Sequence, residues 1–247
     1  MKRLFALVLA LAPLPAGAQS GTALVEQGRA LFNDPKLSAS GQVSCATCHP
    51  MNGHTDNKTY VGLDVVADGD PKGRSTPTLW GSGLRQAEWS WAGNIPAIET
   101  NIRGIIVNRM KGPEPSKETL DALAAYVKSL PNGPAPFLDR DGMPTNSAPA
   151  DVKRGYALFS GKAGCMTCHG PAAYDRKGAE DVGSGGPFKV PALRNVSKTA
   201  PYFHDGRFKS LDEAVAFMWD YYRRKTDSRE TLSDAEKRDL VAFLRAL

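Results

Sequence analysis

Cysteine is scarce in this 247-residue chain: there are four, and all belong to two Cys-x-x-Cys pairs, Cys45 with Cys48 and Cys165 with Cys168. None is left over for a structural bridge, which excludes a disulfide-stapled scaffold. Histidine is as sparse, with four residues, and two of them, His49 and His169, directly follow the cysteine pairs. Long apolar runs are missing beyond the first residues, so no later segment is expected to span a bilayer. A strong charge imbalance is missing too. The formal net charge is +5, of which Lys2 and Arg3 supply two, and this is a weak basis for binding nucleic acid.

The one apolar run opens the chain. Met1-Lys2-Arg3 leads into an apolar stretch from Leu4 to Leu14, then Ala16-Gly17-Ala18 before Gln19, the pattern of a secretory signal with a small-residue cleavage site. Pro13 and Pro15 interrupt it, and it falls short of the ~20 residues a membrane span needs. Residues 1–18 are therefore predicted to be removed on export, and the remainder to be soluble and periplasmic.

Self-similarity organises the rest. Val25-Glu26-Gln27-Gly28-Arg29-Ala30-Leu31-Phe32 precedes the first pair, and Val152-Lys153-Arg154-Gly155-Tyr156-Ala157-Leu158-Phe159 precedes the second. After each pair comes a proline-led segment: Thr76-Pro77-Thr78-Leu79 running to Trp91-Ala92-Gly93, and Val190-Pro191-Ala192-Leu193 running to His204-Asp205-Gly206. Each half closes on apolar residues at helical spacing, Leu120, Leu123, Val127 and Leu130 in one, Leu240, Phe243, Leu244 and Leu247 in the other. Ser116 with Thr119, and Ser233 with Glu236, mark the helix starts. The proline-rich residues 131–150 carry no apolar periodicity and read as an inter-domain linker. Residues 58–73 and 172–187 are glycine-rich and polar, and read as loops rather than sheet. The predicted fold class is all-α: two small domains, 19–130 and 151–247, with long irregular loops. Each is too small to bury a large core without added apolar mass.

Two cysteines three apart, followed at once by histidine, put two thiols and an imidazole on neighbouring faces of one helical turn. This is the attachment signature of c-type haem, with thioether bonds from the cysteines and the histidine on iron. A thioredoxin-like redox pair would want a βαβ context and no histidine next in sequence. A zinc site would not be built as one complete motif in each half. Two haem c groups are therefore expected, one at Cys45, Cys48 and His49, the other at Cys165, Cys168 and His169. The sixth ligand decides whether each iron is closed for electron transfer or open for catalysis. His54 follows His49 too closely to swing to the opposite face. Met218, on the apolar face of the segment from Leu211, and Met110, at the end of Ile105-Ile106-Val107-Asn108-Arg109-Met110, fall at equivalent stages of the repeat. They are the candidate axial thioethers of the second and first haem; the competing reading of each is core packing.

These residues resemble the bacterial di-haem cytochrome c peroxidase and MauG superfamily over nearly the whole chain after the signal. The strongest stretch runs from Val190-Pro191-Ala192-Leu193-Arg194-Asn195-Val196 through Ala200-Pro201-Tyr202-Phe203-His204-Asp205-Gly206 to Met218. The resemblance implies a cytochrome c-like fold in each half and makes Met218 the ligand of the higher-potential haem. It makes Trp91 the candidate inter-haem bridge, in a motif that reads Trp91-Ala92-Gly93. It also implies an inter-domain calcium, a further candidate cofactor, with Thr199 and Pro201 at matching positions and Ser75 in place of the usual asparagine. Arg74, Arg194 and Arg207 are candidates for pairing with haem propionates.

The departures concern catalysis. The family's distal histidine is replaced by the region Val61-Gly62-Leu63, the glutamine and glutamate that assist peroxide cleavage have no counterparts between Gly93 and Lys111, and MauG's distal tyrosine is not matched. The expected function is electron transfer between the two haems and a redox partner protein, a small cytochrome, a cupredoxin or a periplasmic dehydrogenase. The alternative is a peroxidase reducing hydrogen peroxide, or a MauG-like oxidase.

Overall fold

The computed structural model describes residues 16–60, 73–86 and 88–247. Most of the expected signal segment, and the Val61-Gly62-Leu63 region, lie outside them. In chain order the first half carries α1 (Ala16–Phe32), the single turns α2 (Cys45–Cys48) and α3 (Pro50–Gly53), α4 (Ile98–Gly104) and α5 (Lys117–Ser129). The second half carries α6 (Ala150–Ser160), α7 (Leu211–Lys225) and α8 (Asp234–Ala246), with a 3-10 turn at Cys165–Thr167 in the place of α2.

The two sequence repeats become one packing motif used twice. α1 crosses α5 at Gly28, and α6 crosses α8 at Gly155, because only a hydrogen on those α-carbons lets the backbones meet: a β-carbon at Gly28 would run into the Ala122 carbonyl, and one at Gly155 into the Asp239 carbonyl. Four residues on from each glycine, one helical turn, a phenylalanine enters the core. Phe32 meets Tyr126 edge-on at 5.2 Å, and Phe159 meets Phe243 edge-on at 5.3 Å. Phe32, Ile98, Ile106, Leu123 and Val127 form the first core, and Val152, Phe159, Tyr174, Leu240 and Phe243 are central to the second. The closing helices start as expected. Ser116 accepts the Thr119 N–H at 3.3 Å, and Ser233 with Glu236 makes a reciprocal capping box. A further box, Ser210 with Glu213, starts α7.

Two expectations are modified. The glycine-rich loops contain short antiparallel ladders, β1 (Thr59–Tyr60) with β2 (Arg74–Ser75), and β3 (Ala179–Asp181) with β4 (Pro187–Lys189). At two and three residues they are too short for an alternating pattern to register. The proline-rich segment is also more than a tether. Leu138 and Ala148 are buried in the second core, Tyr174 donates to the Gly142 carbonyl at 2.7 Å, and Arg194 donates to the Arg140 carbonyl at 3.3 Å. Side chains of the second half, not a periodic apolar face, hold this segment in place.

Candidate functional site

Both motif histidines are oriented by the same device. His49 Nδ1 lies 3.2 Å from the carbonyl oxygen of His54, and His169 Nδ1 lies 3.0 Å from that of Tyr174, in each case five residues on. A carbonyl at Nδ1 places the ring proton there and leaves the Nε2 lone pair available to a metal. Burial pushes the His49 imidazole down to about 4 and lowers that of His169 as well. Both rings are thus neutral, the form that ligates iron.

The cysteines have the opposite character to redox thiols. Burial pushes the Cys45 and Cys165 thiols up to about 12, whereas disulfide exchange relies on a depressed thiol. Among the described residues no three His, Cys, Asp or Glu side chains converge as a metal site. The disulfide and zinc readings therefore lose their chemistry.

In the second half, Cys165, Cys168 and His169 open into a cavity walled mainly by apolar side chains, among them Leu211, Leu240 and Leu244, and also lined by Met218 and Trp91. Two thiols, an imidazole with Nε2 available, a thioether and a large apolar wall form a donor set that fits a covalently held haem. In the first half, Cys45 and Met110 both pack against the core of Phe32, Ile98 and Leu123. The two methionines differ in backbone setting. Met218 lies within the uninterrupted 15 residues of α7. Met110 follows a π-helical turn, Ile105–Arg109, and its N–H donates to the Ile105 carbonyl at 2.9 Å.

Trp91 stands at the seam between the halves. Its indole N–H donates to the Ser75 carbonyl at 2.9 Å, while its own carbonyl accepts the Lys189 N–H at 2.9 Å. Its ring lies edge-on to His204 at 6.5 Å. His204 is buried and stacked on Phe188 at 3.5 Å, and its carbonyl accepts the Ser75 N–H at 2.8 Å. The sequence alone gives Phe188, Lys189 and His204 no role at this seam, and their one visible signal is the position of Phe188 and Lys189 just ahead of Val190-Pro191. His54 is buried too. It stacks on Trp80 at 4.4 Å, and its Nδ1 lies 2.9 Å from the Thr78 hydroxyl.

All three arginines considered for propionates have partners within the protein. Arg194 donates to the Ala172 carbonyl at 2.8 Å and lies over Tyr174, and Arg207 pairs with Asp205 and the Ser184 carbonyl. Arg74 donates to the Gly73 carbonyl at 3.0 Å and lies 5.4 Å over Phe188. At the expected calcium position the Pro201 carbonyl accepts the Ser75 hydroxyl at 3.1 Å, and nothing in this geometry supports a calcium ion.

Residues 22–137 match the family described as di-haem cytochrome c peroxidase, and residues 152–247 match cytochrome c. The chain is 33% identical to the methylamine utilization protein MauG of Methylorubrum extorquens, over 90% of this chain and 77% of that protein. It is 29% identical to the cytochrome c peroxidase Ccp of Escherichia coli, over 95% of this chain and 60% of that one. Its fold is similar to a chain of hydrazine synthase from Kuenenia stuttgartiensis, with a TM-score of 0.73 at 21% identity over 100% of both chains. Two halves, each with an oriented histidine beside a half-buried cysteine pair, are thus matched along their length by a di-haem family. The chain belongs to the di-haem cytochrome c peroxidase and MauG family.

Proposed function

We propose that the chain is an exported, periplasmic redox protein that passes electrons between its two halves and an external partner protein. Cys45, Cys48 and His49 would hold one haem and Cys165, Cys168 and His169 the other, with Met218 as sixth ligand in the second half and Met110 in the first. Each haem supplies reversible one-electron chemistry at iron, with a potential raised where methionine opposes histidine. The observation that carries this reading is the placement of Trp91, which lines the second cavity while bonded to Ser75 of the first half. Lys189, Phe188 and His204 hold it there, and the apolar wall around Met218 excludes water. A small cytochrome, a cupredoxin or a periplasmic dehydrogenase fits as the partner, and among the described residues no helix is long and apolar enough to cross a membrane.

A second reading, peroxide reduction or MauG-like oxidation at the first half, is favoured by one observation. The repeat breaks at the segment that should supply the sixth ligand, where a π-helical turn replaces regular helix ahead of Met110. Such turns gather at functional sites, and relatives of this chain bear the names cytochrome c peroxidase and MauG. The test is the spin state of the first haem in oxidised and half-reduced protein, together with peroxide turnover from a reduced donor. Low-spin iron in both states, made high-spin by Met110→Ala, supports the carrier. High-spin iron with turnover of about 1 s⁻¹ or more, the ordinary enzymatic range, establishes the enzyme instead.

A further inference from the structure

Lys189 ends β4 at the seam and is only 8% exposed. Its ammonium lies 5.9 Å from the centre of the Trp91 ring, and its side chain lines the cavity that contains Cys165, His169 and Met218. It has no hydrogen-bond acceptor among the described residues. On the first-half side, Arg85 donates to the Thr78 carbonyl and packs 5.9 Å over Trp89. Its Nε is buried with no hydrogen-bond partner among the described residues. The carboxylate acting on both cations is Asp175, itself 1% exposed and already accepting the Gln86 N–H at 3.1 Å. Two cations thus face one anion in a buried place, where an uncompensated charge is costly. The effect is visible on the groups themselves: burial, with Arg85 adding to it and Asp175 opposing, pushes the Lys189 ammonium down to about 7, and burial pushes the Arg85 guanidinium down to about 10. The other titratable side chains on this cavity do not supply the missing charge. Glu180 is taken by Tyr221, Lys225 and Arg176, and His204 is stacked on Phe188 and edge-on to Trp91.

We propose that Lys189, backed by Arg85, is an anion site at the seam, and that its occupant is a propionate carboxylate of the haem in the second cavity. This rests on the reading that Cys165 and Cys168 carry haem. The site would supply a positive charge on the cavity wall beside Trp91, and would tie the bound group to the strand that holds Trp91.

The test is the reduction potential of the second haem in the holoprotein, followed by spectroelectrochemistry from about pH 5 to about pH 9, the range that brackets an unpaired propionate and an unpaired buried lysine. With the ammonium paired, wild type stays flat through neutrality. Lys189→Met shifts the potential down, since a positive charge that disfavours ferric iron is lost, and introduces a fall with rising pH as the stranded carboxylate ionises. Lys189→Arg restores the wild-type profile. A wild-type potential that steps near neutrality, with the step gone in Lys189→Met, would mean a lysine titrating alone and would overturn the proposal. So would a Lys189→Met profile identical to wild type. The wild-type profile needs no variant to fold. Haem counted by pyridine haemochrome keeps the two claims apart, because fewer than two haems per chain would instead count against the haem reading itself.

Discussion

Gly155 lies against the main chain of Asp239 so closely that a β-carbon has no place between them, and Gly28 stands in the same relation to Ala122. Gly155→Ala is therefore expected to force α6 off α8 and lower stability by ~1–3 kcal/mol, the usual cost of overpacking. Gly28→Ala should do the same to α1 and α5. Thermal unfolding of the holoprotein followed by circular dichroism measures both. Gly21 lies within α1, where an added methyl would meet nothing within 4 Å, and provides a control whose alanine variant does not lower the midpoint.

Covalent attachment predicts that two haems stay with the polypeptide after denaturation, and mass spectrometry of exported protein reads this directly. Free thiols at Cys45, Cys48, Cys165 and Cys168 in protein matured by a competent host would remove the basis of the proposed function.

Met218→Ala is expected to abolish the methionine-to-iron charge-transfer band of the second haem and lower its potential, because a thioether favours ferrous iron. An unchanged spectrum would return Met218 to the packing role that its neighbours Ala214 and Leu211 already serve.

Trp91→Phe keeps an aromatic ring but removes the indole N–H bonded to Ser75. Electron exchange between the halves, followed by rapid mixing with a one-electron donor, should slow by about tenfold or more, equivalent to ~1.4 kcal/mol in the barrier. Haem content and the spectrum of each haem should be unaltered. A wild-type rate in this variant would restrict Trp91 to holding the seam.

The Glu236 carboxyl is held down to about 2, by the Lys162 ammonium at 2.7 Å and by the Ser233 N–H at 2.7 Å. A carboxylate depressed in the folded state contributes stability that is present above its ordinary pKa and is lost as pH falls toward the folded value. The melting temperature is thus expected to decline from about pH 5 toward about pH 2, and Glu236→Gln should flatten that decline. Identical acid limbs in the two proteins would contradict the capping role.

Much of this architecture was legible because it is carried by local periodicity and by repetition. Gly28 and Gly155, Phe32 and Phe159, and the paired closing helices recur at matching places, and a repeat reports on three-dimensional equivalence without any tertiary calculation. The histidine motifs were legible for the same reason. The seam was not. Lys189, Phe188 and His204 work through a β4 strand of three residues and through contacts between segments far apart in sequence, such as Ser75 with His204. Neither leaves a periodic trace. The partners of the arginines were hidden on similar grounds, since Arg194 serves a carbonyl 22 residues away and Arg85 faces the seam. The role of residues 131–150 in the second core was hidden because isolated anchors such as Leu138 and Ala148 carry no helical or strand spacing.

The half-buried cysteines bear on the order of events in biogenesis. Cys45 and Cys165, their thiols pushed up to about 12 by burial, present almost no thiolate. A chain that closed first would shut its own cofactor out. On the proposed haem reading, attachment is therefore expected to act on the open polypeptide, with the folded form the product of that modification and not its substrate.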